Sequence, residues 1–161
     1  MNIIKRLIGK FSDKYLIKEI KNNISSDKII IDYLLESSYR GDYFGFWDWK
    51  IDFTINPEDN YEYMSPIFWE MLGYDPSTKK HVAGEWMKLM YNEDRESAFE
   101  KIKKHIKSKG KTKYRQYVRY LHKNGQCIYV LCEGKVIEWN GDIPLRMVGT
   151  HINISSNKLS S

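Results

Sequence analysis

Alanine is almost missing from this chain: Ala83 and Ala98 are the only two, and cysteine is no more frequent. With Ile, Lys, Asn and Tyr in excess, the alanine shortage is a compositional habit and carries no functional reading. The two cysteines, Cys127 and Cys132, lie five positions apart on one predicted strand. At about 3.3 Å per residue that separates them by about 16 Å, on opposite faces, beyond disulfide reach. They read as buried thiols in a reducing compartment. The sequence lacks a secretory signal and any run of the ~20 apolar residues a spanning helix needs, so the expectation is a cytoplasmic protein. Glycine-rich phosphate loops, metal-ligand spacings and nucleophile–base pairings are also missing. An enzyme is therefore not expected.

What is present is a globular composition. The 161 residues are 42% hydrophobic and 29% charged, enough for one cored domain with a short extension. Aromatic residues make up 14%, and the net charge of +5 permits an acidic partner without requiring one.

Residues 1–41 read as a helical extension. Ile3, Ile4, Leu7, Ile8 and Phe11 form an apolar stripe away from Lys5, Arg6 and Lys10. Ser12-Asp13 and Ser26-Asp27 offer new helix starts, the first leading into Tyr15, Leu16, Ile17 and Ile20. Such a stripe is expected to pack on the domain or on a second copy rather than on lipid.

From Asp42 the texture changes. Phe46–Ile51 reads as a strand, 56–60 as a turn and Tyr61–Met64 as a second strand. Ser65-Pro66 pairs an N-cap with a proline at the first helical position, and Gly73 supplies the stop. A short helix or two should follow over 79–90, then a long helix over about 93–109 with Asn92 as its cap. Its acidic start (Glu93, Asp94) and basic end (Lys104, Lys107, Lys109) suit the helix dipole. Two Asn-Gly pairs, Asn124-Gly125 and Asn140-Gly141, predict type I′ hairpins joining strands at roughly 113–123, 126–139 and 144–154. The expected fold class is α+β, a five-stranded antiparallel sheet with helices packed on one face.

Several segments, in order and with family spacing over about 42–155, resemble a PAS domain whose second half is the PAC motif. They are Trp47-Asp48-Trp49, Ser65-Pro66, Glu70-Met71-Leu72-Gly73-Tyr74-Asp75-Pro76, Glu93-Asp94-Arg95, Tyr120-Leu121-His122-Lys123-Asn124-Gly125 and Arg146–Ser155. The resemblance implies a sensory or signalling domain, with residues 156–161 as a tail. The family's His-Pro before Glu93 is Tyr91-Asn92 here, and its closing Asp-Ile-Thr is Asn153-Ile154-Ser155, which replaces a charged hydrogen bond by a neutral one. No kinase, cyclase or DNA-binding module is recognised, and the expectation is a free-standing domain acting in trans.

Cofactors implied by particular family members are disfavoured. Haem sensing needs an axial histidine near Ala98 and Phe99, and none stands there; His105, in a lysine-rich turn, is expected to be solvated. The flavin–cysteinyl adduct needs a cysteine on the helix before the long one, and 79–92 has none. The basic run from Lys101 to Arg115 reads as the wet face of an amphipathic helix, so nucleic acid and anionic membrane are disfavoured as partners.

Both faces of the last strands carry apolar residues, so the outer face should be covered. Two functions of different class follow. In the first, a small molecule sits between sheet and helices, lined by Trp49, Met64, Phe68, Met71, Leu72, Phe99, Ile102, Val118, Tyr120, Val130 and Met147. In the second, no ligand binds, and a homodimer or a separate signalling protein is engaged through Ile3, Leu7, Leu16, Ile20, Tyr117, Tyr129 and Leu131.

Overall fold

The computed structural model of the protein describes residues 44–155. Five strands, β1 (Phe44–Lys50), β2 (Glu62–Met64), β3 (Tyr114–Leu121), β4 (Cys127–Asn140) and β5 (Ile143–Asn153), form one antiparallel sheet in the order β2-β1-β5-β4-β3. Between β2 and β3 lie the helices α1 (Pro66–Met71), α2 (Gly84–Met87) and α3 (Asn92–Lys107). The first and last of these strands, β1 and β5, are far apart in sequence but pair directly at the middle of the sheet, with Trp47 opposite Gly149. Among the described residues no helix is long and apolar enough to cross a membrane. The extension carrying Ile3, Leu7, Leu16 and Ile20 lies outside the described residues.

Strand alternation sorts the side chains. Trp47, Met64, Tyr114, Val118, Tyr120, Val130, Cys132 and Met147 meet in the core with Phe68 and Leu72 from the α1 region. The other face carries Asp48 and Arg146 as a buried bidentate pair, with Nε to Oδ1 at 2.8 Å and Nη2 to Oδ2 at 2.6 Å. Val148 and Thr150 on that face are also fully buried.

Both hairpin turns differ from the type I′ expectation. That type needs positive φ at two central residues, yet here only the glycines have it, Gly125 at 89° and Gly141 at 59°. In the first turn Gly125 N–H donates to the His122 carbonyl and His122 N–H to that of Gln126. This is a turn over Lys123-Asn124 with a bulge glycine after it. In the second, Asn140 pairs with Ile143, so the two-residue loop is Gly141-Asp142 with glycine first, the II′ arrangement.

None of the three helices is N-capped by a side chain. Ser65 precedes Pro66 at the start of α1, but its Oγ accepts from Phe46 N–H at 2.8 Å instead of capping the helix. Asn92 is the first residue of α3 rather than its cap, and the extended residue before it is Tyr91. Asp94 in that first turn accepts from Arg119 through its backbone N–H (2.7 Å), Nε (2.9 Å) and Nη2 (2.9 Å), which ties α3 to the β3 edge. The Arg119 hydrogen bonds hold the Asp94 carboxyl below the ordinary range.

At the other end of α3 the expectation for His105 is reversed. Its side chain is buried; Nδ1–H donates to the Thr112 carbonyl at 2.6 Å and Nε2 accepts from Val136 N–H at 3.1 Å. The helix turns this position toward β4, whatever the charge of its sequence neighbours. Lys109, just past the helix, takes φ of 55°. Its ammonium bonds the Gly141 carbonyl at 2.7 Å, pairs with Asp142 and lies over Trp139. Left-handed backbone costs a side-chain-bearing residue about 1 kcal/mol, so two effects separate here. Lys109→Ala keeps the strained backbone and loses the tether, whereas Lys109→Gly loses the tether and relieves the backbone. Urea unfolding is expected to find the Ala variant less stable than the Gly variant by about 1 kcal/mol; equal stabilities would show that the backbone there is unstrained.

Candidate ligand cavity between sheet and helices

The site is built on a flat indole. Gly134 and Gly149 are cross-strand partners on β4 and β5, and a Cβ added to either would overlap the Trp47 ring. The two missing side chains let Trp47 lie against the sheet. Above it is a cavity of about 40 Å³, room for a few waters at roughly 10–15 Å³ each.

The helix side of this cavity is apolar: Ala83, Trp86, Met87 and Met90 from α2 and its flanks, and Ala98, Phe99 and Ile102 from α3. The sheet side carries the polar groups: Trp47, Glu62, Tyr114, Tyr120, Cys132 and His151, beside Trp49 and Met64. Glu62 is buried, and its Oε2 accepts from Trp86 Nε1 at 2.8 Å. Burial, opposed by that bond, pushes its carboxyl up to about 8. Burial likewise pushes the Cys132 thiol up to about 12 and the Tyr114 and Tyr120 phenols well above their ordinary value. His151, ringed by Phe68 at 4.6 Å, Tyr120 at 6.0 Å and Trp47 at 6.2 Å, is pushed down to about 3 by burial. No lysine, arginine or aspartate lines the space. At neutral pH the walls therefore carry essentially no charge, and the surface they turn to the cavity is almost wholly apolar. A thiol held protonated in this way is a poor nucleophile.

Of the side chains expected to line a pocket, the structure brings Trp49, Met64, Phe99, Ile102 and Tyr120 to the cavity. Phe68, Leu72, Val118, Val130 and Met147 are filled into the core, and Met71 packs partly buried against it. On the opposite face of the sheet, Tyr117 is 61% exposed, Tyr129 half-buried and Leu131 only 6% exposed. The polar residues Trp47, Glu62, Tyr114, Cys132 and His151 are not among the residues expected from sequence. A signal for one of them exists: Glu62 is a lone acid between Tyr61 and Tyr63 in a short apolar strand.

Haem and a cysteinyl flavin do not fit these walls. The single histidine of α3, His105, has both ring nitrogens engaged away from the cavity. The wall from α2 and its flanks offers alanine, tryptophan and methionine but no cysteine, and the space is far smaller than a tetrapyrrole.

Comparison with known proteins places this geometry. The family model described as the PAS fold matches residues 61–151. No curated protein matches the chain significantly. Among solved structures, a sensory box histidine kinase/response regulator from Burkholderia thailandensis E264 is 20% identical, with a TM-score of 0.61 over 78% of this chain and 88% of that one. The N-terminal domain of a diguanylate cyclase with PAS/PAC sensor from Marinobacter aquaeolei is 19% identical, with a TM-score of 0.53 over 70% and 98%. The LOV domain of a blue-light activated histidine kinase from Erythrobacter litoralis EL346 is 17% identical, with a TM-score of 0.51 over 69% and 95%. At these identities the likeness is one of fold. The family match over more than half of the chain, on a five-stranded sheet with helices against one face, establishes that this protein belongs to the PAS fold family.

Proposed function

We propose that the chain is a sensory PAS domain that binds a small molecule between sheet and helices and passes the signal on through protein–protein contacts, without catalysing a reaction. The observation that carries this reading is the cavity itself, which lies between the sheet and the helices, almost wholly apolar and lined by no lysine, arginine or aspartate. Occupancy would bear on Trp86 and Phe99, and through α2 and α3 on the β3 edge, where Tyr91 N–H donates to the Arg119 carbonyl and Leu121 N–H to that of Leu89. A ligand that prefers one packing of these elements shifts the population toward it. PAS domains commonly pair with copies of themselves or with signalling partners, and the outer sheet face with Tyr117 and Tyr129 is the proposed contact.

Native mass spectrometry of the purified full chain, with an absorbance scan of the same sample, tests this. A mass excess lost on denaturation is the expected result. A bare mass that no added small molecule increases would overturn the reading. A second reading, a ligand-independent dimerisation or interaction module, is favoured by the small size of the cavity and by Tyr117 and Leu121 standing exposed on one strand. A bare mass at twice the monomer would support it.

A further inference from the structure

The β3 edge of the sheet is closed along one half and open along the other. At the closed end Arg119 N–H donates to Asp94 Oδ2 at 2.7 Å, the Arg119 carbonyl accepts from Tyr91 N–H, and Leu121 N–H donates to the Leu89 carbonyl. Backbone groups in an antiparallel strand alternate between its two neighbours, so Arg115 and Tyr117 turn their N–H and C=O groups to this same side, away from β4. Among the described residues no hydrogen bond reaches them there. Both residues are exposed, Tyr117 by 61%. We propose that the open half of the β3 edge takes an extended acidic segment of a partner protein as an added strand. This rests on the protein–protein output proposed above and gives that contact a chemistry.

Two observations choose the occupant. The first is the open row of backbone groups. Donors and acceptors alternate along it, which matches the main chain of another strand; a phosphodiester backbone accepts but does not donate. The second is charge. Lys111 and Lys113 lead into β3, and Lys101, Lys104 and Lys107 stand on α3, which packs against it. All of these lysines are exposed, and none enters a salt bridge among the described residues. The acids nearby are already engaged: Glu100 with Lys103, Glu133 with Arg115 and Asp142 with Lys109. A second copy of this chain would bring the same lysines to the same edge, and lysine on an edge strand guards against such self-pairing. An acidic strand is what that guard admits. The start of α3 closes the edge at Arg119, so the added strand bonds Arg115 and Tyr117 and continues past Lys113. Its acidic side chains then fall beside Arg115 and Lys113.

The test titrates probes into the full chain labelled with ¹⁵N. They are a short blocked peptide alternating glutamate with valine, the same peptide with lysine for glutamate, the acidic peptide with alternate amides N-methylated, and a single-stranded oligothymidylate. The acidic peptide is expected to bind roughly tenfold or more tightly than the lysine and N-methylated peptides. It should move the Arg115 and Tyr117 amide resonances downfield and slow their hydrogen exchange. Tyr117→Pro removes an outward N–H and leaves the β4 pairing in place, as an edge strand tolerates; it should weaken the acidic peptide by roughly tenfold. Should that variant fail to fold, the N-methylated peptide decides. Equal binding of the N-methylated and parent acidic peptides would overturn strand addition and leave only a charged patch. Tighter binding of oligothymidylate at these amides would overturn the peptide partner. Movement of the same amides on dilution of the free chain would show pairing between copies and overturn the acidic occupant. If the acidic peptide does not bind, the inference falls, while the sensory function is decided separately by the native mass.

Discussion

Glu62→Gln is expected to make the protein markedly more stable at pH 8.5 while changing it little at pH 4.5. Glu62 lies buried against the cavity, and burial, with a smaller contribution from Asp48, lifts its carboxyl from an ordinary 4.5 to about 8. Between those two values the unfolded chain has released this proton and the folded chain still holds it. The folded state then binds more protons than the unfolded one, so stability falls as pH rises, by about 1.4 kcal/mol per unit. Below pH 4.5 the group costs nothing, and above pH 8 its full cost of roughly 5 kcal/mol applies. Glutamine has no proton to lose, and its amide oxygen still accepts from Trp86 Nε1, bonded to Oε2 at 2.8 Å in the native protein. Urea unfolding at pH 4.5, 6.5 and 8.5 should show the wild type losing stability across the range relative to Glu62→Gln. Parallel profiles would mean that Glu62 is ionised in the folded protein, and would also remove the uncharged character assigned to the cavity.

Gly149→Ala should be among the most damaging single-methyl changes available. The added Cβ would overlap the Trp47 ring and the Glu133 carbonyl oxygen. One obstacle is a side chain and the other the backbone of β4, so no rotamer change clears both. Overpacking of this kind typically costs about 1–3 kcal/mol, and the expected loss lies at or above the upper end, a fall in Tm of at least 10 °C for a domain of this size (about 3 °C or more per kcal/mol). Because Trp47 is the cavity floor, tryptophan fluorescence should shift with the fold still formed at low temperature. Combining Gly149→Ala with Trp47→Leu should recover part of the loss, about 1 kcal/mol of coupling, and leave the part due to Glu133. A Tm within about 2 °C of wild type would show that β4 and β5 separate more easily than their register implies.

The closing PAC-like segment shows how local and global information divide. Asn153-Ile154-Ser155 departs from the family's Asp-Ile-Thr, yet Ile154 N–H donates to the Tyr129 carbonyl and Tyr129 N–H to Ser155 Oγ at 2.8 Å. Neutral groups keep the end of β5 stitched to β4. That a polar stitch would stand here was legible from residue type; that its partner would be Tyr129 was not, since Tyr129 lies 26 residues earlier in the chain.

By itself the sequence determined which strands and helices form and in what order, because these follow from period-two alternation, Ser-Pro and glycine punctuation, and the charge order of α3, all local to a few residues. It also determined the α+β layering and the family, through motifs in fixed order. Only the tertiary structure decided what each polar side chain meets. Ser65 Oγ turned to β1 rather than to its helix, His105 sank between α3 and β4, and the hairpin turns moved by one residue so that glycine alone has positive φ in each. The cavity belongs to the same class. Trp47, Glu62 and His151 reach it from three strands only because Gly134 and Gly149 let an indole lie flat between them. A sequence window records what a residue is and which face it takes; desolvation and hydrogen-bond partners depend on atoms tens of residues away, and those are fixed when the sheet closes against its helices.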